Sequence, residues 1–359
     1  MVILGSTGSI GTNTLGLCSK QNLDIEALSC ASNISLLNEQ IAKFRPKFVC
    51  IGDKNLKKDV KHERVFVGED GLLEMLTLTK SKKVVNSLVG FAGLKPSFLA
   101  QKLGKTLALA NKESLVVGGK FLDTSKILAI DSEHFGLNFL LKKSPKIKKL
   151  IITASGGAFY KTPLKALKYA TPSDALKHPN WQMGSKITID SASMANKLFE
   201  VLEAYWLYGV SNIEAVIEPS SMIHALIEFI DGSTTAHICG TNMRLAIAHA
   251  VLDRVDEVLP SVDLLSLKPL KFYPINLKKY PIFSIKDELL NSPDLGVIIN
   301  AVNEVAVFAF LKNECAFLDI SKAVLSAFKR FRDIKISNTD ELFLADVEAR
   351  NFAKKLLKL

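Results

Sequence analysis

A glycine-rich turn near the start of the chain constrains the fold more than any other feature. The turn, Gly5-Ser6-Thr7-Gly8-Ser9-Ile10-Gly11, directly follows the apolar segment Val2–Leu4 and opens a helical pattern over Ser9–Lys20. Glycines let a backbone approach a pyrophosphate, and a helix N-terminus supplies free N–H groups and the positive end of a dipole. The spacing is G-x-x-G-x-x-G rather than G-x-G-x-x-G, but its place between a strand and a helix predicts nucleotide binding.

Strand and helix patterns then alternate through residues 1–131. The predicted strands are Val2–Leu4, residues 25–30, Phe48–Ile51, Val65–Val67, residues 84–87 and residues 106–110. Such alternation is typical of a doubly wound parallel sheet. The predicted fold class is therefore α/β, with an N-terminal Rossmann-like domain over residues 1–131.

The rest of the chain predicts two further domains. Residues 132–254 carry strand patterns at 150–154 and 215–217, a hairpin about Asp231-Gly232 and a helix over 193–208, which indicates a central α/β catalytic domain. Within it, residues 155–184 are rich in Gly, Pro and Lys and suit a mobile lid. Residues 255–281 read as a linker, since 260–281 contain four prolines. Residues 282–359 predict a C-terminal helical domain.

Composition narrows the function classes. A length of 359 residues suits two or three domains. No apolar run approaches the roughly 18 residues that a membrane helix needs, and the N-terminus lacks the features of a signal peptide. Five scattered cysteines, none spaced as C-x-x-C, argue against a disulfide framework and a zinc site and favour a reducing cytoplasm.

The charge balance suits anionic partners. Lys and Arg number 46 against 36 acids, a formal net charge of +10. The lysines form short runs at Lys57-Lys58, Lys82-Lys83, Lys142-Lys143 and Lys148-Lys149, without the interleaved aromatic residues of a nucleic-acid platform. The net charge alone does not choose between nucleic acid, a membrane and a phosphorylated metabolite, and we interpret these lysine runs as solvated surface.

The end of the second predicted strand bears on the cofactor. NAD sites usually place an acid there for the ribose 2′-hydroxyl. Here the strand ends Cys30-Ala31-Ser32-Asn33, with no carboxylate. Polar neutral side chains can receive a 2′-phosphate, so this segment favours NADP.

Two groups of side chains predict metal and oxyanion binding. Asp131 and Glu133, two residues apart, would face the same way on a strand and attract a hard cation such as Mg²⁺ or Mn²⁺, unless they are a solvated strand end. Asn196, Lys197 and Glu200 would share one helix face, and Glu203 continues it. That face is either an oxyanion and metal site or an exposed surface. Trp181 fits a core or an interface equally well.

The chain resembles the 1-deoxy-D-xylulose 5-phosphate reductoisomerase family over nearly its whole length. The segments that carry the resemblance are GSTGSIG, ALANKESLV, DSEH, ASGGAF, HPNWQMGSKITIDSASMANKLFE and NEVAVFAFL. It implies NADPH-dependent rearrangement and reduction of 1-deoxy-D-xylulose 5-phosphate to 2-C-methyl-D-erythritol 4-phosphate, in the non-mevalonate isoprenoid pathway. It also implies a homodimer with a small sugar phosphate substrate, with no nucleic-acid or membrane partner, and a catalytic Mn²⁺, Mg²⁺ or Co²⁺.

The resemblance also implies site residues. The metal carboxylates are Asp131, Glu133 and Glu200, with Lys112 beside them at the reacting atoms. The substrate contacts are Ser132, Ser155, His178, Ser191, Asn196 and Lys197, under lid residues Trp181 and Met183. The cofactor contacts are Thr7, Gly8, Ser9, Ile10, Ser32, Asn33, Asn111 and Glu113. Many members have lysine at the position of Ser32, so NADPH selectivity here is weaker or arises differently.

Two other interpretations stay open from the sequence. A semialdehyde or glyceraldehyde-phosphate type dehydrogenase has a similar domain plan but needs a thiolate nucleophile, and no cysteine lies at a helix start near a histidine. An NADPH-sensing or nucleic-acid-binding protein without activity would suit the net charge, but the carboxylates would repel a polyanion.

Overall fold

A computed structural model describes residues 1–141 and 146–359, so Lys142 and Lys143 of one lysine run lie outside the described residues. The chain forms two compact units. Unit 1 contains Met1–Ser114, Leu122–Asp131 and Asn242–Leu259, and unit 2 contains Leu115–Phe121, Ser132–Thr241 and Pro260–Leu359. The chain therefore returns to unit 1 twice. The sequence predicted domain boundaries near residues 131, 254 and 281, and the division into two units does not test them, so they remain predictions.

Unit 1 is built on a seven-stranded sheet in which all neighbouring strands are parallel, in the order β4-β3-β2-β1-β5-β6-β7. The strands are β1 (Val2–Leu4), β2 (Ala27–Cys30), β3 (Phe48–Ile51), β4 (Val65–Val67), β5 (Lys83–Asn86), β6 (Thr106–Leu109) and β7 (Ile127–Ala129). Ile3 of the central strand pairs with Leu28 and Val85, and all three are fully buried. Burial on both faces is what a doubly wound sheet requires, so the predicted fold class is confirmed.

Helices follow the strands of unit 1. They are α1 (Ser9–Lys20), α2 (Ile34–Phe44), α3 (Gly68–Leu78), α4 (Leu94–Lys102) and, from a distant segment, α10 (Arg244–Val251), while α5 (Lys112–Gly118) begins in this unit. Ile247, Ala248 and Val251 of α10 join the same apolar core as Leu15 of α1. Nothing in the local pattern of residues 244–251 indicates this return, because their partners are distant in the chain and include residues of α1, more than 200 positions earlier.

Unit 2 contains a mixed four-stranded sheet in the order β11-β10-β8-β9. The strands are β8 (Ile147–Ala154), β9 (Ile213–Ile217), β10 (Ile223–Phe229) and β11 (Thr234–Ile238). β8 and β9 are parallel, and β10 is antiparallel to both β8 and β11. Gly232 has φ +89°, a left-handed conformation that suits the turn between β10 and β11, so the predicted hairpin is confirmed.

The helices of unit 2 include the confirmed helical C-terminal region. They are α6 (Ser132–Leu141), α7 (Pro172–Ala175), α8 (Ser185–Ser193), α9 (Ala195–Tyr208), α11 (Lys286–Asn291), α12 (Gly296–Leu311), α13 (Phe317–Arg330) and α14 (Thr339–Leu357). Before α11, Tyr273 exchanges backbone hydrogen bonds of 2.8 and 2.9 Å with Ile217, so part of the 255–281 segment pairs with β9.

The helix predicted over 193–208 is confirmed as α9, but it begins two residues later, because Met194 at φ 70° separates it from α8. One local prediction was wrong. Glu133 does not lie on a strand, because β7 ends at Ala129 and α6 begins at Ser132. Asp and Ser commonly begin helices, and the strand interpretation gave that signal too little weight.

The membrane prediction also needs a correction. Among the described residues, one segment, Pro293–Leu311, is long and apolar enough to cross a membrane by length and composition. However, 72% of its most apolar window is buried inside the protein, as in the core helix of a globular fold.

Candidate active site

The glycine turn of unit 1 is held closed by the backbone. Gly5 has φ +81°, and its N–H donates to Ser29 Oγ at 3.1 Å. A Cβ on Gly11 would lie 2.3 Å from the Gly5 carbonyl oxygen, so only glycine permits this approach. Gly8 and Ser9 are exposed at the start of α1, with Thr7 and Ile10 half-buried beside them. The turn therefore presents a helix N-terminus, which suits a pyrophosphate.

The other predicted cofactor residues differ in exposure. Ser32 and Asn33 are exposed after β2, and Asn33 Oδ1 accepts from the Leu36 N–H at 3.2 Å, capping α2. Asn111 and Glu113 are buried. Asn111 Nδ2 donates to the backbone oxygens of Leu88 and Gly90 and to Glu113 Oε2, at 2.9, 2.8 and 3.1 Å. Asn111 thus shapes the wall of the unit 1 site through protein contacts.

Lys112 and Asp131 form an ion pair within unit 1. Lys112 Nζ lies 2.9 Å from Asp131 Oδ2, and their side chains are only 7% and 14% exposed. A mostly buried ammonium and carboxylate need each other, because either alone would bear an uncompensated desolvation cost. The pair lies at the carboxyl edge of the sheet, since β6 ends at Leu109 and β7 at Ala129. Ligands of doubly wound folds bind at that edge.

A second charged cluster lies in unit 2, where α6 meets α9. Lys197 Nζ lies 2.7 Å from Glu133 Oε1 and also contacts the Glu200 carboxylate. Asn196 Nδ2 donates to Glu200 Oε1 at 2.5 Å. Oxygens of Glu133 and Glu200 lie within 4.8 Å of each other, and Asp131 precedes Glu133 by two residues. Closely spaced carboxylate oxygens are the ligands that a hard divalent cation prefers, so this donor set fits Mg²⁺ or Mn²⁺.

The contact between α6 and α9 includes a pair that the sequence did not indicate. His134 Nε2 lies 3.2 Å from Glu203 Oε2, and both side chains are buried. The Tyr208 hydroxyl donates to the His134 carbonyl oxygen at 2.8 Å. His134 directly follows Glu133, and Glu203 lies three positions after Glu200. The pair therefore holds the two helix segments that carry Glu133 and Glu200 in place. Only the helical spacing of Glu203 from Glu200 hinted at this.

His178 is held as a neutral imidazole. Its Nδ1 accepts the N–H groups of Asn180 and Trp181 at 3.2 and 3.0 Å, so the proton is on Nε2, which faces Ser155 Oγ at 3.0 Å. Burial lowers the pKa of His178 to about 4. The Gly157 N–H also donates to Ser155 Oγ, at 3.1 Å. Since Ser155 accepts twice, its own hydroxyl proton is left for an anion.

A glycine brings two predicted oxyanion residues near each other. Gly157, at φ +68°, approaches α8 so closely that a Cβ there would lie 2.6 Å from the Ser191 carbonyl oxygen. The turn that carries Ser155 therefore packs against the helix that carries Ser191. Met194 then turns the chain into α9, where Asn196 and Lys197 stand in the first turn. A left-handed methionine is uncommon and marks a constrained turn.

The lid segment is anchored through Asn180, which the sequence did not single out. Asn180 Nδ2 donates to the Pro219 carbonyl oxygen and to Ser221 Oγ, both at 2.8 Å. The buried Glu218 carboxylate folds that loop, because it accepts from the N–H groups of Ser220, Met222 and Ile223 at 2.9, 2.8 and 3.3 Å.

The two predicted lid residues, Trp181 and Met183, are both half-buried. The Trp181 ring packs edge-on against His224, with ring centroids 5.9 Å apart. Trp181 therefore lies at the surface of unit 2 and does not belong to its core.

No thiolate nucleophile is available. Burial raises the pKa of every cysteine, to about 12 for Cys50 and to about 11 for Cys18, Cys30, Cys239 and Cys315. Those thiols stay protonated near neutral pH, which removes the nucleophile of the dehydrogenase alternative.

With thiol chemistry set aside, a dinucleotide-type turn and an oxygen-donor cluster define a metal-assisted oxidoreductase. Three family models match the chain. The model of 1-deoxy-D-xylulose 5-phosphate reductoisomerase matches residues 1–119, and the model of the 1-deoxy-D-xylulose 5-phosphate reductoisomerase C-terminal domain matches residues 127–208. The model of the DXP reductoisomerase C-terminal domain matches residues 238–352. The chain belongs to the 1-deoxy-D-xylulose 5-phosphate reductoisomerase family.

Relatives and solved structures agree with this assignment. The reductoisomerase of Campylobacter curvus is 67% identical, over 99% of this chain and 98% of its own length, and that of Campylobacter hominis is 63% identical over the whole of both. A crystal structure of DOX-P reductoisomerase in complex with NADPH, fosmidomycin and magnesium has a TM-score of 0.93 at 31% identity, covering 100% and 98% of the chains. The Zymomonas mobilis enzyme in complex with NADPH has a TM-score of 0.87 at 32% identity, covering 99% and 98%.

Proposed function

We propose that the chain converts 1-deoxy-D-xylulose 5-phosphate to 2-C-methyl-D-erythritol 4-phosphate with NADPH and a divalent cation. The observation that carries the proposal is the cluster of Glu133, Glu200 and Lys197, which unites metal ligands and a cation on two packed helices. The solved relatives bind NADPH, fosmidomycin and magnesium. Rearrangement of the carbon skeleton gives an aldehyde, and reduction of that aldehyde gives the product.

Asp131, Glu133 and Glu200 are the metal ligands in this proposal. A divalent cation held there supplies Lewis acidity for the substrate carbonyl and hydroxyl oxygens. Within unit 2, the carboxylates of Glu133 and Glu200 exceed Lys197 in charge by one, so that cluster keeps a net negative charge that favours a dication. Lys197 and Asn196 hold Glu200 in place, and Lys112 holds Asp131. Because Lys112 is next to Asp131, it also stabilises negative charge that develops on substrate oxygens.

Polar groups of the lid segment and of α6, α8 and α9 bind the substrate. Ser155 offers its hydroxyl proton to the phosphate, since its oxygen already accepts from His178 and Gly157. Ser191 of α8 binds the same phosphate together with Ser155. The remaining proposed contacts are Ser132, Asn196 and Lys197. Residues 155–184 close over the substrate, with Trp181 and Met183 excluding water from the aldehyde.

The cofactor binds at the carboxyl edge of the sheet in unit 1. The pyrophosphate binds at the exposed N-terminus of α1, where the glycine turn presents Thr7, Gly8, Ser9 and Ile10. Ser32 and Asn33 flank the adenosine ribose, and Asn111 and Glu113 form a wall near the nicotinamide. NADPH supplies the hydride for the reduction.

The enzyme works as a cytoplasmic homodimer. All five cysteines are free thiols, which suits a reducing compartment. β11 ends the described sheet of unit 2, and an edge strand offers backbone groups to a second copy. The nearby Ile230 and Ile238 are 62% and 37% exposed. Light scattering on the purified protein measures its mass directly, and a monomer at micromolar concentration would contradict the dimer.

The decisive experiment follows NADPH oxidation with 1-deoxy-D-xylulose 5-phosphate after exhaustive chelation and after Mn²⁺ or Mg²⁺ is restored. We expect turnover only when substrate and metal are both present, with 2-C-methyl-D-erythritol 4-phosphate as product. Chelated protein must keep its circular dichroism spectrum, so that loss of activity is not loss of fold. Full activity without metal, or none with both metals, would reject the proposal.

A further inference from the structure

NADPH differs from NADH by a 2′-phosphate, which carries a charge of about −1.5 to −2 near neutral pH. The segment after β2 offers this group no cation, because Ala31, Ser32 and Asn33 are all uncharged. The Asn33 carboxamide oxygen is also engaged, as it caps α2 through the Leu36 N–H. A positive charge for the 2′-phosphate must therefore come from another element of unit 1.

A surface cleft beside Ser32 contains such a charge. Ser32, Gly52, Lys54, Asn55 and Val67 are among the residues that line it. The cleft opens at the carboxyl ends of the neighbouring strands β2, β3 and β4. This is the edge where doubly wound sheets bind nucleotides, and the end of β2 is where the adenosine ribose is read.

Backbone contacts fix Lys54 next to Ser32. The Gly52 N–H donates to the carbonyl oxygens of Cys30 and Ala31 at 3.0 and 2.9 Å, and the Asp53 N–H to that of Ala31 at 3.3 Å. A Cβ on Gly52 would lie 3.0 Å from the Ala31 oxygen. The two segments thus stay side by side beyond the ends of their strands, and Lys54 follows this anchored pair directly.

The charges in the cleft favour an anion. Lys54 is exposed, and no ion pair holds its ammonium within residues 1–141 and 146–359. The one acid beside it, Asp53, accepts from the Asn55 N–H at 2.9 Å, and so caps the short 3-10 turn Lys54–Asp59. Lys57 and Lys58 follow in that turn, so its three lysines outnumber the two acids, Asp53 and Asp59.

We propose that Lys54, together with the Ser32 hydroxyl, binds the 2′-phosphate and gives this chain its preference for NADPH. The inference rests on the proposed use of NADPH and adds the residue that selects it. Lys54 acts as a point charge and Ser32 as a hydrogen-bond donor. A charge-assisted contact of this kind contributes about 1.5–3 kcal/mol, which corresponds to roughly ten- to a hundredfold in affinity.

Equilibrium binding of NADPH and NADH to the metal-free protein, measured by isothermal titration calorimetry, tests this without turnover. Lys54→Gln should weaken NADPH binding by about tenfold or more and leave NADH binding unchanged. Lys57→Gln is the matched control, since it removes the same charge from the same turn outside the cleft lining. It should leave the ratio of the two affinities as in the wild type.

Two results would overturn the assignment. One is a Lys54→Gln protein with the wild-type ratio of NADPH to NADH affinity, and the other is an equal loss in Lys57→Gln, which would indicate surface charge in general. Either result leaves the proposed function standing if the wild type still oxidises NADPH with 1-deoxy-D-xylulose 5-phosphate. A wild type without that activity would reject the proposed function itself.

Discussion

The glycine turn of unit 1 and the charged cluster of unit 2 are built on different principles. The turn depends on the absence of side-chain atoms, since a single Cβ on Gly11 would lie 2.3 Å from a carbonyl oxygen. The cluster depends on charges that neutralise one another, with Lys197 and Glu200 only 3% and 1% exposed at their side chains. The turn comes from seven consecutive residues, whereas Glu133 and Lys197 are 64 positions apart. Substitutions should therefore damage the first site sterically and the second electrostatically.

The largest expected effect is on the charged cluster. Glu200→Gln keeps the size of the side chain but removes one metal-binding charge. Metal stabilisation of transition-state charge is worth several kcal/mol, and about 1.4 kcal/mol corresponds to tenfold in rate. We therefore expect kcat to fall by about a thousandfold, with NADPH affinity unchanged. Glu348→Gln, on the exposed face of α14, is the control. Wild-type turnover with wild-type Mn²⁺ dependence in Glu200→Gln would show that the cluster does not bind the metal.

The steric side of the comparison is tested by two glycines of α1. Gly11→Ala should destabilise unit 1 by about 1–3 kcal/mol, as overpacking does, and abolish measurable NADPH binding. Gly16→Ala meets no atom within 4 Å, so it should stabilise the protein by about 0.5–1 kcal/mol and bind NADPH normally. Denaturant unfolding and NADPH titration measure both effects. Equal behaviour of the two variants would contradict a sterically closed turn.

The same contrast explains what the sequence could predict. Six of the seven strands of unit 1 were predicted to within about two residues, for example 25–30 against Ala27–Cys30, because strand patterns and the glycine turn are local signals. The break at Met194 was missed, since nothing in a methionine indicates a left-handed backbone. The partnership of His134 with Glu203 was missed because tertiary packing creates it. Likewise, the sequence did not identify Lys54 as a cofactor contact, because only the backbone hydrogen bonds of the folded chain place it beside Ser32.

A smaller effect should follow from loosening the lid anchor. Asn180→Ala removes the two hydrogen bonds to the 219–221 loop that hold the His178-to-Trp181 segment in place. We expect the KM for the substrate to rise by about ten- to thirtyfold, since each of the two lost hydrogen bonds costs about 1 kcal/mol, while NADPH affinity stays constant. Asn212→Ala is the matched control, because Asn212 Nδ2 donates to the Lys148 carbonyl oxygen at 2.8 Å elsewhere in unit 2. If Asn180→Ala changes thermal stability but not KM, Asn180 is only a structural residue.

The smallest expected effect concerns how the stability of the protein depends on pH through His178. Burial is the cause of the lowered pKa of this imidazole. Burial lowers its pKa from 6.5 to about 4, so the unfolded chain takes up this proton at a higher pH than the folded protein. The contribution of neutral His178 to stability is therefore complete above pH 6.5 and is lost as the pH falls towards 4. His178→Gln cannot titrate but keeps a donor for Ser155 and an acceptor for the two N–H groups. Denaturant midpoints between about pH 7 and pH 4.5 should fall less in this variant than in the wild type. Parallel profiles would mean that His178 is as accessible to protons in the folded protein as in the unfolded chain, and the neutral donor assigned to Ser155 would then be wrong.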